Sequence, residues 1–377
     1  MKIGIDARFL GPEGKGLGRY VEKLIKYLAV TDNNHEIFVL LREENWREWQ
    51  PPASNWHKVK APWRWYSLSE QIYLPGLLRR LKLDLMHFPH FNVPILYFGA
   101  YIVTIHDLIL SRFPTERAST LEPIYFWLKH RVYQLVITSA IKRAKKVITV
   151  SQDSRRQIIE HFKIKPEKTI VTYEAVDRGR PVQPGEVAMI RQRYGIIDPY
   201  LLYVGNAYPH KNIESLLEAF AKLRRKGYAL QLLLVGKMDY FYQRVRKYAE
   251  ALNLDTTNEV IFPGFVSDYD LATVYAGAQA YVFPSKAEGF GLPPLEAMQY
   301  GLPVVSSNAS CLPEILGRAA EYFDPKSVTD IIRAIEKVIN NDERRQTLIE
   351  LGAAQIGRYS WKKMAGETLA VYQSVLK

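Results

Sequence analysis

Short apolar runs alternate with amphipathic stretches along most of the chain, and this alternation is what most narrows the folds open to it. In the first half the strand-like runs are Lys2–Asp6, Glu36–Leu41, Leu85–His87, Tyr101–Ile105 and Lys146–Val150. Helical patterns at Arg19–Ala29, Ser69–Arg80 and Ile124–Ala144 lie between them. Strands joined by helices run parallel and are covered on both faces. The pattern stops at Asp177–Gly185, where two prolines and two glycines in nine residues mark a linker. It resumes with strands Tyr200–Val204, Gln231–Val235, Val260–Phe262, Ala280–Phe283 and Pro303–Ser306. Helices Ile213–Arg225, Tyr240–Leu252, Leu271–Ala278 and Pro293–Tyr300 separate these strands, and a last amphipathic helix, Trp361–Leu376, follows a break at Gly357–Ser360. The fold expected is α/β, with two Rossmann-like, doubly wound domains in tandem. A cleft between them would take ligands near the carboxyl ends of the strands.

Charge and cysteine content narrow the function. One cysteine, Cys311, excludes a disulfide framework and a cysteine-based metal site. Residues 1–180 hold 29 Lys and Arg against 18 Asp and Glu, whereas residues 181–377 hold 22 against 21. The basic first half suits a phosphorylated small molecule, an anionic membrane surface or nucleic acid. No zinc-ligand spacing or RNA-binding aromatic motif accompanies it, so nucleic acid is not expected. Met1–Ile5 runs straight into a strand-like start, without the pattern of a secretory leader. The apolar run Pro94–Ile109 is broken by Gly99, His106 and Asp107, short of the ~20 residues of a spanning helix. The expected location is the cytoplasm, extending to the inner face of the membrane as a peripheral protein.

The segment Pro284–Met298 carries the most chemistry. It follows a strand, turns on Gly289 and Gly291, and enters a helix with Pro293 in its first turn, where proline's missing N–H costs nothing. The free amides near Gly291 and Leu292 make a diphosphate cradle at the positive helix end. Glu288 before the turn suits sugar hydroxyls, and Glu296 in the helix suits the two hydroxyls of a ribose. A second strand-turn-helix, Leu201–Ile213, puts Lys211 within reach of a phosphate lying over the strand ends. The loop Gly11–Tyr20 after the first strand is rich in glycine, fitting either a phosphate cradle or a plain strand-helix turn. It lacks the spacing of dinucleotide-binding loops, which argues against hydride transfer.

These residues resemble the retaining glycosyltransferases of the GT-B fold known as family 4, whose signature is Glu, seven residues, Glu, here Glu288 to Glu296. The resemblance spans essentially the whole chain. It implies an acceptor domain over residues 1–178 and a donor domain over 185–358, with the helix 361–377 crossing back onto the first. It implies that Glu288 contacts the donor sugar, that Gly289, Phe290, Gly291 and Leu292 hold sugar and phosphate by backbone, and that Glu296 binds the ribose. Lys211 is implied on the diphosphate. Asn206 occupies the position where the family often has a second cation, so the clamp is one charge short. By the same resemblance Gly16 faces the donor phosphates, His106 lies beside the transferred sugar, and Val266, in the loop Gly264–Ser267, meets the nucleobase. The catalytic set expected is His106, Lys211 and Glu288.

Neither a metal nor another cofactor is expected. Asp268 and Asp270 precede a helix, and capping with first-turn acidity accounts for them. Five of the seven tryptophans (Trp46, Trp49, Trp56, Trp63 and Trp65) fall within twenty residues among lysines and arginines. That clustering suits a membrane interface, an acceptor sugar or an ordinary loop. The expected activity is transfer of a hexose, mannose from GDP-mannose being favoured by the likeness of Tyr203–Ile213 to mannosyltransferases. The acceptor expected is a glycan or lipid-linked sugar in cell-surface polysaccharide synthesis. The other readings are a UDP-sugar-dependent transferase, a sugar-nucleotide epimerase of the same fold and a basic membrane- or nucleic-acid-binding protein.

Overall fold

A computed structural model describes residues 1–11, 14–32, 34–112, 123–197, 199–254 and 258–376. Pro12 and Glu13 of the glycine-rich loop lie outside the described residues. The described chain forms two compact units: one holds residues up to Glu174 together with Ser360 onward, the other Ala175–Tyr359.

The first unit is built on seven parallel strands, β1 (Lys2–Asp6), β2 (Glu36–Leu41), β3 (Trp56–Lys60), β4 (Leu85–Phe88), β5 (Tyr101–Ile105), β6 (Lys146–Thr149) and β7 (Thr169–Val171). Their order is β3-β2-β1-β4-β5-β6-β7, so the winding reverses between β1 and β4. The central strands are covered on both faces and read as unbroken apolar runs, which made them visible in the sequence. The outer strands β3 and β7 were not anticipated. β3 reads Trp-His-Lys-Val-Lys and β7 has three residues, because a sheet edge needs neither a long nor a wholly apolar strand.

The helix Trp361–Leu376 belongs to this first unit and lies against the helix Lys15–Thr31. It buries Trp361, Met364, Ala365, Thr368, Leu369 and Tyr372, one stripe of a 3.6-residue period. The Tyr372 hydroxyl is 2.7 Å from His87 Nδ1, and His87 Nε2 is 2.8 Å from Thr104 Oγ1. Burial, reinforced by the nearby His106, pushes the His87 pKa down to about 3. The ring is therefore neutral, one nitrogen donating and the other accepting.

At the end of β1, Arg8 is fully buried. It donates through Nε to Asp6 (2.7 Å), through one terminal nitrogen to Asp6 (2.6 Å) and Glu70 (2.5 Å), and through the other to the Trp63 carbonyl (3.1 Å). Glu70 also accepts from Asn92 Nδ2 and the Tyr66 amide. Four chain segments thus meet on one guanidinium and one carboxylate. The tryptophan cluster is tied into the same neighbourhood. Trp56 is buried and Trp63 packs on the core, stacked on Tyr73. Trp65 stacks on Phe9 with the Arg42 guanidinium 4.6 Å from its ring, while Lys58 and Lys60 sit over Trp46. None of the five rings is exposed. Of the three roles open for this segment, internal structure is the one the contacts describe.

The second unit carries six parallel strands, β8 (Tyr200–Val204), β9 (Gln231–Val235), β10 (Val260–Gly264), β11 (Ala280–Phe283), β12 (Val304–Ser307) and β13 (Ala320–Phe323). Their order is β10-β9-β8-β11-β12-β13, with the reversal between β8 and β11. The edge strand β13 was also missed, since it contains Glu321, buried and paired with Lys337 and Arg344. Both units are therefore Rossmann-like doubly wound sheets, as expected from the alternation.

Arg8→Met should cost the first unit about 3–5 kcal/mol, because Asp6 and Glu70 would be left buried without their cation. Urea unfolding of the variant against the wild type measures this.

Candidate active site

In the second unit the reversal point lies between β8 and β11, and the loops leaving their carboxyl ends carry the residues singled out above. The loop after β8 passes Gly205 and makes a 3-10 turn over Pro209–Lys211. Asn212 then takes a left-handed conformation (φ 61°) before the helix Ile213–Arg225. Lys211 thus stands just before the helix and not in its first turn. The buried Asn212 amide donates to the Pro284 carbonyl (3.2 Å) and the Pro325 carbonyl (2.8 Å). The Lys286 amide donates to the His210 carbonyl (2.8 Å). These bonds hold the β8 loop against the β11 loop.

The result is direct contact between two residues 77 positions apart. Lys211 Nζ lies 2.6 Å from Glu288 Oε1, with side chains 12% and 10% exposed, and 5.4 Å from the centre of the Phe283 ring. The cation and the carboxylate form one neutral pair. The attraction between them is strengthened by partial exclusion of water. The Glu288 backbone is itself pinned: its amide is 3.3 Å from Ser310 Oγ, whose hydroxyl donates to the Glu288 carbonyl at 2.8 Å. Cys311 Sγ contacts the carbonyls of Glu288 and Phe290.

Beyond this staple, Gly289 and Phe290 are buried and Gly291 has φ 93°. A side chain at Gly291 would also meet Leu312 Cδ2 at 2.8 Å, so glycine is required there on two grounds. Leu292 opens the helix Leu292–Gln299, and its first amides have no intrahelical acceptor. Glu296 sits one turn in and accepts from the Tyr275 hydroxyl at 3.3 Å. Tyr275 is held by near-parallel stacking on Tyr300, with centroids 5.7 Å apart. Asn206 keeps to local bonds, its Oδ1 3.4 Å from the Tyr208 amide and its carbonyl accepting from Tyr203. Val266 is 4% exposed and belongs to the core, while its neighbour Phe265 is 79% exposed. Asp270 lies in a first turn capped by Ser267. Among the described residues, no group of three or more His, Cys, Asp or Glu is disposed to hold a metal ion.

In the first unit the notable edge is formed by the carboxyl ends of β4, β5, β6 and β7. His106 follows β5, with Nδ1 3.1 Å from Glu174 Oε1 and Nε2 3.0 Å from the Pro89 carbonyl. Burial works against its charge, yet the hydrogen bond and charge of Glu174 outweigh it and raise its pKa above the ordinary value. Asp107 accepts from the Ile109 amide and shapes the turn, while Ser151 caps the helix Gln152–Phe162. Gly16 is exposed in the first turn of the helix Lys15–Thr31, and nothing lies within 4 Å of where its side chain would be. Steric need for glycine falls instead on Gly14 and Gly18, where a Cβ would lie 1.9 Å from the Phe9 carbonyl oxygen and 2.5 Å from that of Gly11.

Five residues of these sites were not anticipated: Asn212, Tyr275, Ser310, Cys311 and Glu174. An Asn immediately before an apolar helical period marks a helix start, but the Asn212 side chain caps no amide there and bridges two loops instead. The others act across gaps that local pattern does not span.

Residues 14–180 match the family described as Glycosyltransferase Family 4, and residues 190–355 match Glycosyl transferases group 1. The O-antigen chain mannosyltransferase B of Escherichia coli is 30% identical over 383 aligned residues, covering 95% of this chain and 96% of that protein. The O-antigen chain mannosyltransferase RfbU of Salmonella typhimurium is 28% identical, covering 82% and 80%. Among solved structures, sucrose-phosphate synthase of Thermosynechococcus elongatus superposes with a TM-score of 0.77 at 20% identity, covering 100% of this chain and 99% of that one. WaaG, a glycosyltransferase involved in lipopolysaccharide biosynthesis, does so with a TM-score of 0.73 at 16% identity, covering 98% and 99%. These structural likenesses identify the GT-B fold.

A double-mutant cycle with Lys211→Met and Glu288→Gln should give a coupling of about 0.5–3 kcal/mol in the stability of the ligand-free protein, as for side chains in direct contact. Additive losses in chemical denaturation would disprove the pairing.

Proposed function

The chain belongs to the family 4 glycosyltransferases, and from that premise we propose that it transfers mannose from GDP-mannose, with retention at the anomeric carbon, to a glycan or lipid-linked sugar during cell-surface polysaccharide synthesis. The observation that carries this reading is the Lys211–Glu288 pair beside the helix start at Gly291–Leu292, with Glu296 one turn beyond. Likeness over nearly the full length to an O-antigen mannosyltransferase supports mannose over other hexoses.

In this reading the second unit binds the donor and the first the acceptor. Lys211 and the amides at Gly291–Leu292 stabilise negative charge as the bond between sugar and diphosphate breaks, an electrostatic contribution that needs no metal. Glu288 accepts from sugar hydroxyls and Glu296 from the ribose. The acceptor oxygen bonds to the anomeric carbon on the face that the diphosphate leaves, and its proton passes to a departing phosphate oxygen. No carboxylate of the protein becomes covalently attached. His106 and Gly16 are assigned to the sugar and phosphate side of the same reaction, and the backbone at Val266 to the base. Asn206 contributes no charge, which leaves Lys211 as the cation of the clamp.

A thermal-shift panel of GDP, UDP, ADP and dTDP in excess EDTA, repeated on Glu296→Ala, tests the donor assignment. At a hundred times its dissociation constant the right nucleotide adds about 2.7 kcal/mol of stability. GDP is expected to stabilise the wild type and much less the variant. Stabilisation by UDP alone would favour a UDP-sugar donor, and none by any nucleotide would sink the donor site. Conversion of the sugar nucleotide to its epimer, with no acceptor consumed and no nucleoside diphosphate released, would point to an epimerase.

The proposed workplace is the cytoplasmic face of an anionic membrane. No helix among the described residues is long and apolar enough to cross a membrane. Peripheral attachment is supported by the helix Pro123–Arg143, which exposes Tyr125, Leu128, Val132 and Leu135 at helical spacing. Residues 123–146 carry six Lys and Arg and no Asp or Glu, so the charge complements acidic headgroups. The protein should sediment with vesicles containing phosphatidylglycerol and not with pure phosphatidylcholine, and Leu128→Asp with Val132→Asp should abolish this. Equal sedimentation of the double variant, or concentration-dependent dimerisation through this face, would overturn the attachment.

A further inference from the structure

The environment of His106 restricts its protons more tightly than its position at a strand end requires. Its Nδ1 faces the Glu174 carboxylate at 3.1 Å and its Nε2 faces the Pro89 carbonyl oxygen at 3.0 Å. A peptide carbonyl only accepts, and so does an ionised carboxylate. A neutral imidazole has one N–H and would leave two acceptors facing each other on one side. We propose that Glu174 and the Pro89 carbonyl hold His106 as an imidazolium with both N–H groups committed, so that the ring is a fixed positive charge at the carboxyl edge of β5 and not a proton acceptor. Glu174 is then the positioning residue for that charge.

The surroundings agree on independent grounds. Glu174 is 6% exposed, and a carboxylate so buried needs a cation or several donors. His106 is the partner that the structure gives it. The third wall of the pocket is the Tyr20 ring, edge-on at 4.7 Å and 87°, whose phenol is buried and kept protonated well beyond neutral pH. Of the other titratable groups near the ring, Asp107 favours its charge. His87 and His90 are both pushed down to about 3 by burial and by His106 itself, so they remain neutral and do not compete for the charge. The backbone is fixed as well, since Ser154 Oγ donates to the His106 carbonyl at 3.3 Å. A histidine serving as general base needs a bare nitrogen lone pair facing the substrate. Here neither nitrogen has one, and Glu174 and Pro89 reach this edge from β7 and β4.

Resting on the glycosyl-transfer reading, this assigns His106 to charge stabilisation and excludes it from removing the acceptor proton. The linkage sign follows from the raised pKa. The pair's stabilisation is fully present below the unfolded value of about 6.5 and is lost as pH rises through the folded value.

The test is nitrogen-15 NMR of the histidine side chains in the free, full-length protein at pH 7.5, where a free histidine is about nine-tenths neutral. His106 can be identified by loss of its signals in His106→Gln, or by contacts of its ring protons with the Tyr20 ring if that variant does not fold. Both ring nitrogens should resonate as protonated. In Glu174→Gln, which preserves shape, one should become bare at the same pH. Transfer activity of Glu174→Gln should fall by about tenfold or more at pH 7.5, because burial without Glu174 lowers the His106 pKa, and should regain rate steadily as the pH is lowered. One bare nitrogen in the wild type would overturn the proposal. A pH-independent loss of activity in Glu174→Gln would reduce Glu174 to packing and overturn its positioning role. If the spectra are as expected but His106→Gln transfers sugar at the wild-type rate, the charge assignment stands and the catalytic place of His106 falls.

Discussion

The second unit depends on the parallel pairing of β8 with β11 across the point where its sheet reverses. Tyr281 lies opposite Leu202, so the loops that leave the two strands emerge side by side. Parallel register alone would leave these loops free to diverge. The buried Asn212 amide prevents this by donating to carbonyls of two other loops, at Pro284 and Pro325. Asparagine suits the position because it tolerates the left-handed backbone while keeping two donors. Lys211 and Glu288 meet as a consequence, and each neutralises the other before any ligand arrives. The pair is thus organised without a net charge that would have to be solvated.

The first unit solves a similar problem with different chemistry. Arg8, Asp6, Glu70 and Asn92 form a buried polar knot at the end of β1, and His87, Thr104 and Tyr372 form a neutral chain between β4, β5 and the last helix. Buried polar groups of this kind tolerate few arrangements, since each unsatisfied atom is costly. They therefore fix loop ends that apolar packing would hold only approximately. His106 stands next to this region, with Tyr20 as the shared wall.

The two-domain plan was legible because parallel strands buried on both faces leave unbroken apolar runs in the sequence. The strands that escaped notice sit at sheet edges: β3 has lysines, β7 is three residues long, and β13 contains a glutamate satisfied by distant cations. Glu288 and Glu296 were legible because glycines and a proline between them specify the turn. Their partners were not. The bond from Lys211 to Glu288 spans 77 positions and that from His106 to Glu174 spans 68, with nothing in the local pattern at either end to announce the other. The tryptophan-rich stretch suggested a membrane among other roles because local density of rings and cations was all that could be seen. Its actual partners, Phe9, Arg42 and Tyr73, lie outside that pattern or were unremarkable within it.

The first unit is discontinuous along the chain, since Ser360 onward returns to it after the whole of the second unit has been laid down. During synthesis its sheet would be finished while the stripe of residues that Trp361, Met364, Leu369 and Tyr372 later cover remained open to water. At ribosomal rates of about 5–20 residues per second, that interval is roughly ten to forty seconds. His87 would spend it without the hydroxyl that satisfies its Nδ1. The helix Trp361–Leu376 is thus the closing element of a domain begun before the second unit, and that open face has a defined window in which chaperones could act on it.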